Sequence, residues 1–198
     1  MGIYAIKPAF RRRLAGASRW CVRHGVSADT LTLAGVVASL AGGAGLAGGV
    51  QRRWLLLVVP VLAIGRTALN ALDGMVAGEA GTARPFGEVL NELADRVSDA
   101  AWFVGLGFAA GMFPALAALV LAYLSSQVGV ATKAAGGPRV YAGIMGKADR
   151  MVLLSAASLL AVPIGLVVLT WAAWIAAAGA AVTIAQRLAA GLSALRRR

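Results

Sequence analysis

With 198 residues, of which 60% are hydrophobic and only 14% charged, and a mean hydropathy of +0.78, the chain is too apolar for an ordinary soluble domain and suits a bilayer instead. The net charge of +11 would fit nucleic-acid binding, but the basic residues sit at the ends of apolar runs and no binding module accompanies them, which argues against that partner. The one cysteine, Cys21, allows no internal disulfide and reads as packing.

The N-terminus lacks the apolar core and cleavage site of a secretory signal, and Ile6 spoils the myristoylation pattern that Met1-Gly2 would begin, so the helices themselves are the expected membrane address. Residues 3–27 interleave Ile3, Tyr4, Phe10, Leu14, Trp20 and Val22 with Lys7, Arg11, Arg12, Arg13, Arg19 and Arg23. That mixture predicts an amphipathic helix lying at the membrane surface, so residues 1–27 form a cytoplasmic juxtamembrane segment and 28–198 the membrane domain. His24 belongs to the same interfacial segment.

Apolar runs then predict spans near 28–50, 54–77, 86–111, 113–135, 148–168 and 170–192, an all-α integral membrane fold of about six helices. With six spans both termini share a side. That side collects Arg11 to Arg13, Arg19, Arg23, Arg84, Lys133, Arg139, Lys147, Arg150 and the Arg196-Arg197-Arg198 tail, against Arg52 and Arg53 opposite. The positive-inside rule therefore puts both termini in the cytoplasm, and the expected location is the cytoplasmic membrane of a prokaryote. Gln186 and Arg187 read as a helix end. The pairs Gly45/Gly49 and Gly107/Gly111 have helix-packing spacing, although a chain with 25 glycines produces such pairs by chance.

The acidic residues are unevenly placed: six of eight fall between 73 and 99, namely Asp73, Glu79, Glu88, Glu92, Asp95 and Asp99. Glu88, Glu92, Asp95 and Asp99 are spaced 4, 3 and 4 apart, so they share one arc about 60° wide on a helix, with Asn91 at its border. A carboxylate at mid-bilayer costs about 3 kcal/mol, so this face should turn inward, toward water, a basic group or a cation. Pairing with Arg66 and Arg96 is the plain structural explanation. A divalent-cation site is the functional one, because Asn70 and Asp73, at i and i+3, can offer hard oxygens from a second helix. Glu88 and Asp99 lie about 16 Å apart along the axis, too far to share one ion, so some of the stripe is not ligating.

The stretch NALDGMVAGEAGTARPFGEVLNELAD, residues 70–95, resembles the signature DxxDGxxAR, eight residues, GxxxDxxxD of the CDP-alcohol phosphatidyltransferase family. The basic segment before SADTLTLAG, GIMGKADR before the fifth span and AQRL near the end also resemble it. The resemblance implies metal-dependent transfer of a phosphatidyl or related group from a CDP-alcohol, such as CDP-diacylglycerol, to a small alcohol or phospho-alcohol, with release of CMP, in phospholipid synthesis. It further implies one or two Mg²⁺ or Mn²⁺ ions, membrane lipids as surroundings, and a homodimer. Carried over position by position, it makes Asn70, Asp73, Asn91 and Asp95 metal-binding, Asp95 also the base, and Gly74, Ala77 and Gly87 nucleotide-binding. A basic acceptor pocket is implied at Arg139, Lys147 and Arg150, with Glu92 and Asp99 as additional acids.

The chain departs from the signature at three positions: Asn70 and Asn91 replace its first and third aspartates, and Gly78 its arginine. Amides keep the oxygens but lose two charges, and Arg66, Arg84 or Arg96 are the available substitutes for the arginine. These changes open a second reading, a divergent member that binds lipid, nucleotide or a protein without turnover. A small ion transporter would also use an acidic stripe, but not the spacing of the whole signature.

Overall fold

The computed structural model describes residues 7–196, with side chains from residue 9 onward. Expectations resting on Met1-Gly2, Ile3, Tyr4, Ile6, the Lys7 side chain and Arg197-Arg198 lie outside the described residues. Within them all regular structure is helical: α1 Lys7–Arg23, α2 Ala28–Gly48, α3 Val58–Glu79 after a 3-10 turn at Arg53–Leu57, α4 Pro85–Ala110, α5 Met112–Ala134, α6 Lys147–Ile164 and α7 Val167–Arg196.

Helices α2 to α7 follow the six apolar runs to within four residues at each end. Four of them are long and apolar enough to cross a membrane: Ala28–Gly48, Arg53–Glu79, Met112–Ala134 and Val167–Arg196. Helices α4 and α6 do not reach that level, because α4 carries Glu88, Glu92, Asp95, Arg96 and Asp99 and α6 opens with Lys147, Asp149 and Arg150. Of these charges Asp95 lines the site described below, Lys147 reaches it, and Glu88, Glu92 and Asp99 form ion pairs beside it.

Local chemistry sets the turns. Gly25, at φ +68°, ends α1 in a left-handed step that lets Val26 N–H reach the Cys21 carbonyl at 2.9 Å, and Ser27 then caps α2 by accepting from Thr30 N–H at 3.1 Å. Helix α1 rests on α3, where Leu14, Cys21 and Val22 pack with Leu31, Leu69, Leu72 and Val76. Cys21 is free and buried there, a packing residue.

The main core joins Leu46 of α2, Val59 of α3, Trp102, Phe103 and Leu106 of α4, Leu154 of α6 and an alanine-rich face of α5 and α7. Helix α2 packs chiefly on α3 and α4, and α5 on α7. The α2–α4 crossing depends on glycine: a Cβ at Gly105 would lie 2.1 Å from the Gly43 carbonyl oxygen, and one at Gly43 would lie 2.1 Å from that of Ala101. Two backbones meet where no side chain fits, the usual way for helices to gain contact in lipid. The spaced pairs noted in the sequence also serve packing within the chain, since a Cβ at Gly45 would meet Val58 at 3.2 Å and one at Gly107 would meet Met112 at 2.7 Å.

Candidate active site

Helices α3 and α4 form a hairpin whose turn is written in the sequence. Gly81 takes φ +66°, Thr82 N–H closes on the Ala77 carbonyl at 3.0 Å, and Pro85 starts α4 where no N–H is needed. Asn70 and Asp73, one turn apart on α3, are thereby brought beside Asn91 and Asp95, one turn apart on α4. With Leu31, Thr32 and Gly35 of α2, and Arg66, Ala94 and Ser98, they line one small cavity, with room for about one water-sized group. All four signature positions therefore face the same small space.

Their charges are handled differently. Asp73 is 5% exposed, accepts from Thr32 Oγ1 at 3.0 Å and from Gly74 N–H at 2.5 Å, and has no ion pair among the described residues. Asp95 is doubly paired: its Oδ1 accepts from Arg66 Nη2 at 3.0 Å and from Lys147 Nζ, while Oδ2 takes no hydrogen bond among the described residues. Lys147 Nζ also donates to Asn70 Oδ1 at 3.1 Å. Asn91 Oδ1 is buried with no hydrogen-bond partner among the described residues. Buried carboxylates are normally charge-paired and buried amide oxygens normally bonded, so the Asp73–Asn91 side lacks a positive partner.

The rest of the α4 stripe is paired outside the cavity. Glu88 meets Lys133, Glu92 meets Arg139 at 2.5 Å and Arg96 at 3.5 Å, and Asp99 meets Arg150 at 2.9 Å. Glu92 and Asp99, the additional acids of the sequence reading, thus hold arginines and do not line the cavity. Arg139, Lys147 and Arg150 do not form one open basic cluster either: they face Glu92, Asp95 and Asp99 in turn. Burial disfavours charge on Arg139, but its hydrogen bond to Glu92 prevails and raises its pKa above the ordinary arginine value. The stripe is therefore ion-paired along most of its length and forms a cavity wall at Asn91 and Asp95.

Arg187, read from the sequence as a helix-end residue, is buried and donates to the Ala142 carbonyl at 2.9 Å and the Ser125 carbonyl at 2.6 Å. It ties α7 to the 135–146 loop and to α5. Thr32 gave no signal beforehand, since a threonine in an apolar run commonly bonds its own helix, as this one also does to the Ala28 carbonyl.

A side chain added at Gly74 or Gly78 would meet no atom of the chain within 4 Å, so packing does not account for glycine at either position, whereas Gly87 lies against Arg84 at 3.6 Å. Ala77 is half-buried on the same helix. Of the three arginines that could replace the one missing at 78, Arg84 is exposed and paired with Asp29, and Arg96 lies over Tyr123 and beside Glu92. Only Arg66 lines the cavity.

As a metal site the cavity offers two carboxylates and two amides. No group of three His, Cys, Asp or Glu side chains converges among the described residues, so the donor set depends on Asn70 and Asn91. All four donors are hard oxygens, which suits Mg²⁺ or Mn²⁺ and not a thiophilic ion. The unpaired Asp73 and the orphaned Asn91 oxygen fit such a cation.

The sequence profile of CDP-alcohol phosphatidyltransferase matches residues 26–185. The chain is 36% identical over 155 residues to inner membrane protein YnbA of Escherichia coli K12, covering 77% of each chain. It is 32% identical over 195 residues to phosphatidylinositol phosphate synthase of Streptomyces avermitilis, covering 90% of this chain and 78% of that one. Its fold is similar to crystal structures of the Mycobacterium tuberculosis phosphatidylinositol phosphate synthase PgsA1. With CDP-DAG bound, that protein matches at a TM-score of 0.76 and 25% identity over 92% of this chain and 94% of its own. In complex with manganese and citrate it matches at 0.75 and 24% over 90% and 88%. The chain belongs to the CDP-alcohol phosphatidyltransferase family.

Proposed function

We propose that this membrane enzyme transfers a phosphatidyl group from a CDP-alcohol such as CDP-diacylglycerol to an alcohol acceptor and releases CMP. The observation that carries the reading is the convergence of Asn70, Asp73, Asn91 and Asp95 on one cavity, with Asp73 buried and unpaired and Asn91 Oδ1 without a partner. A divalent cation held there by Asp73 and Asn91 would neutralise the oxygens of the donor's pyrophosphate. The acceptor hydroxyl attacks the lipid-linked phosphorus, the P–O bond to CMP breaks, and the hydroxyl proton passes to a base.

The chain's own groups fit the remaining tasks. Asp95 Oδ2 is the base: Arg66 and Lys147 fix the carboxylate through Oδ1 and leave the second oxygen open to a proton. Thr32 and Gly74 N–H hold Asp73 in one orientation. The bare α3 surface at Gly74 and Gly78 lets a nucleotide approach the backbone. Of the basic residues expected at an acceptor pocket, Arg139 and Arg150 are held by Glu92 and Asp99, so a phosphorylated acceptor would compete with those carboxylates for their guanidinium groups.

For topology, the reading has α2 to α7 all crossing the plasma membrane of a bacterium with both termini cytoplasmic. Two features support it. The paired charges of α4 and α6 point into the bundle, which lowers their cost in lipid, and the basic residues gather at the end that holds the site. The direct test supplies purified protein in bicelles with CDP-diacylglycerol, Mn²⁺ and a panel of alcohols with and without phosphate, and identifies the lipid product by mass spectrometry. A new phospholipid with equimolar CMP is expected for one acceptor. No product across the panel, from folded protein that binds Mn²⁺, overturns the proposal.

A further inference from the structure

We propose that the ammonium group of Lys147 is a built-in cation of the reaction site, so that this chain works with a single divalent ion, held on the Asp73–Asn91 side. The inference rests on the phosphatidyl-transfer reading and deepens it, because the sequence left one or two ions open.

Its basis is the division of the cavity into two unlike halves. On one, Lys147 Nζ bridges Asn70 Oδ1 and Asp95 Oδ1, an amide of α3 and a carboxylate of α4, which is the bridging a metal ion would otherwise perform between these helices. Arg66 adds a second positive group on the same carboxylate oxygen. On the other half, Asp73 has only neutral donors, and Asn91 Oδ1 has none.

The lysine is placed there by its backbone. It is the first residue of α6, directly after Gly146, whose N–H is held by the Asp149 carboxylate at 2.9 Å, and α6 packs against α3.

Charge balance points the same way. The wall holds two acids, Asp73 and Asp95, and one base, Arg66, and Lys147 reaches Asp95 from α6, so the charges of these four groups sum to zero before any ion arrives. One divalent ion is then matched by the two negative charges of a donor pyrophosphate. A second would leave two positive charges unmatched in surroundings of low dielectric, where unpaired charge is costly. In this chain the amides Asn70 and Asn91 and the tethered charge of Lys147 act together: fewer negative ligands, and a fixed positive charge where a mobile one would otherwise sit.

The test counts bound metal, independently of turnover. Full-chain protein in detergent is titrated with Mn²⁺, and the free ion is read by electron paramagnetic resonance. One Mn²⁺ per chain is expected for the wild type and for Asn70→Asp/Asn91→Asp, where the lysine still takes a cation's place. Two are expected for Asn70→Asp/Asn91→Asp/Lys147→Met, and one again when Lys147→Arg replaces Lys147→Met in that background. Should the methionine variant lose its monodisperse elution, Lys147→Gln in the same background carries the same expectation. Two ions on the wild type, or one on both neutral-side-chain variants, overturns the assignment. Failures separate: one Mn²⁺ bound without CMP release on any acceptor sinks the enzymatic reading and leaves the lysine's role standing. CMP release with two ions bound does the reverse, and no Mn²⁺ binding at all overturns both.

Discussion

Substituting Gly105 by Ala tests the geometry that supports the whole cavity. The added Cβ would sit 2.1 Å from the Gly43 carbonyl oxygen and 2.6 Å from the Gly43 Cα and carbonyl carbon. These are backbone atoms of a neighbouring helix, so no rotamer change relieves the clash and α2 must move from α4 by about 1 Å. Overpacking of this kind costs about 1–3 kcal/mol, and the rigid obstacle puts Gly105→Ala at the upper end. For a chain of this size each kcal/mol lowers Tm by about 2–4 °C, so a loss of about 6–12 °C is expected in detergent-based thermal unfolding. Gly43→Ala, facing Ala101 O at 2.1 Å, should behave alike, and the double variant should cost less than the sum because the separation forced by one substitution also accommodates the other. Gly16→Ala on α1 is the control, since nothing lies within 4 Å of its Cβ and alanine favours the helix by about 1 kcal/mol. If Gly105→Ala melts within about 2 °C of Gly16→Ala, the close α2–α4 crossing is refuted.

Other expectations follow from the charges. Breaking the Asp99–Arg150 pair, with side chains 1% and 2% exposed, by Asp99→Asn or Arg150→Met should cost about 3–5 kcal/mol each, and the double variant clearly less than their sum in a thermal-unfolding cycle. Glu88→Gln and Lys133→Gln should each change stability by less than about 1 kcal/mol, because that pair is about half exposed, and a larger loss would show that the α4 end is not solvated. Removing divalent ions with EDTA should abolish CMP release, and Mg²⁺ or Mn²⁺ should restore it; activity that survives chelation contradicts the metal reading.

Much of the architecture was legible because long apolar runs have few ways to fold: α2 to α7 end within four residues of the runs read from the sequence. The cavity was legible too, through the i, i+3 and i, i+4 spacings that put Asn70 with Asp73 and Asn91 with Asp95 on single helix faces. What spacing along one helix cannot give is which opposite charges meet across helices. Arg139, Lys147 and Arg150 looked like a common anion site because they are near in sequence, yet each meets an acid about 50 residues earlier, Glu92, Asp95 and Asp99. Length and hydropathy by themselves support four membrane crossings, at α2, α3, α5 and α7, since α4 and α6 trade hydropathy for these pairs. Thr32 and Arg187 escaped notice for a related reason: their partners, Asp73, Ala142 and Ser125, are 41, 45 and 62 residues away.

The central claim is that Asp73 and its neighbours form a metal-dependent site for CMP-releasing transfer, and it is tested most directly by Asp73→Asn. The side chain is nearly isosteric and can keep the Thr32 hydroxyl as a partner, so the fold should survive. In a CMP-release assay with CDP-diacylglycerol, Mn²⁺ and the acceptor identified from the panel, the wild type should turn over and the variant should lose activity by at least about a hundredfold, with Mn²⁺ binding lost in parallel. Wild-type turnover and Mn²⁺ affinity retained in folded Asp73→Asn protein would contradict the claim.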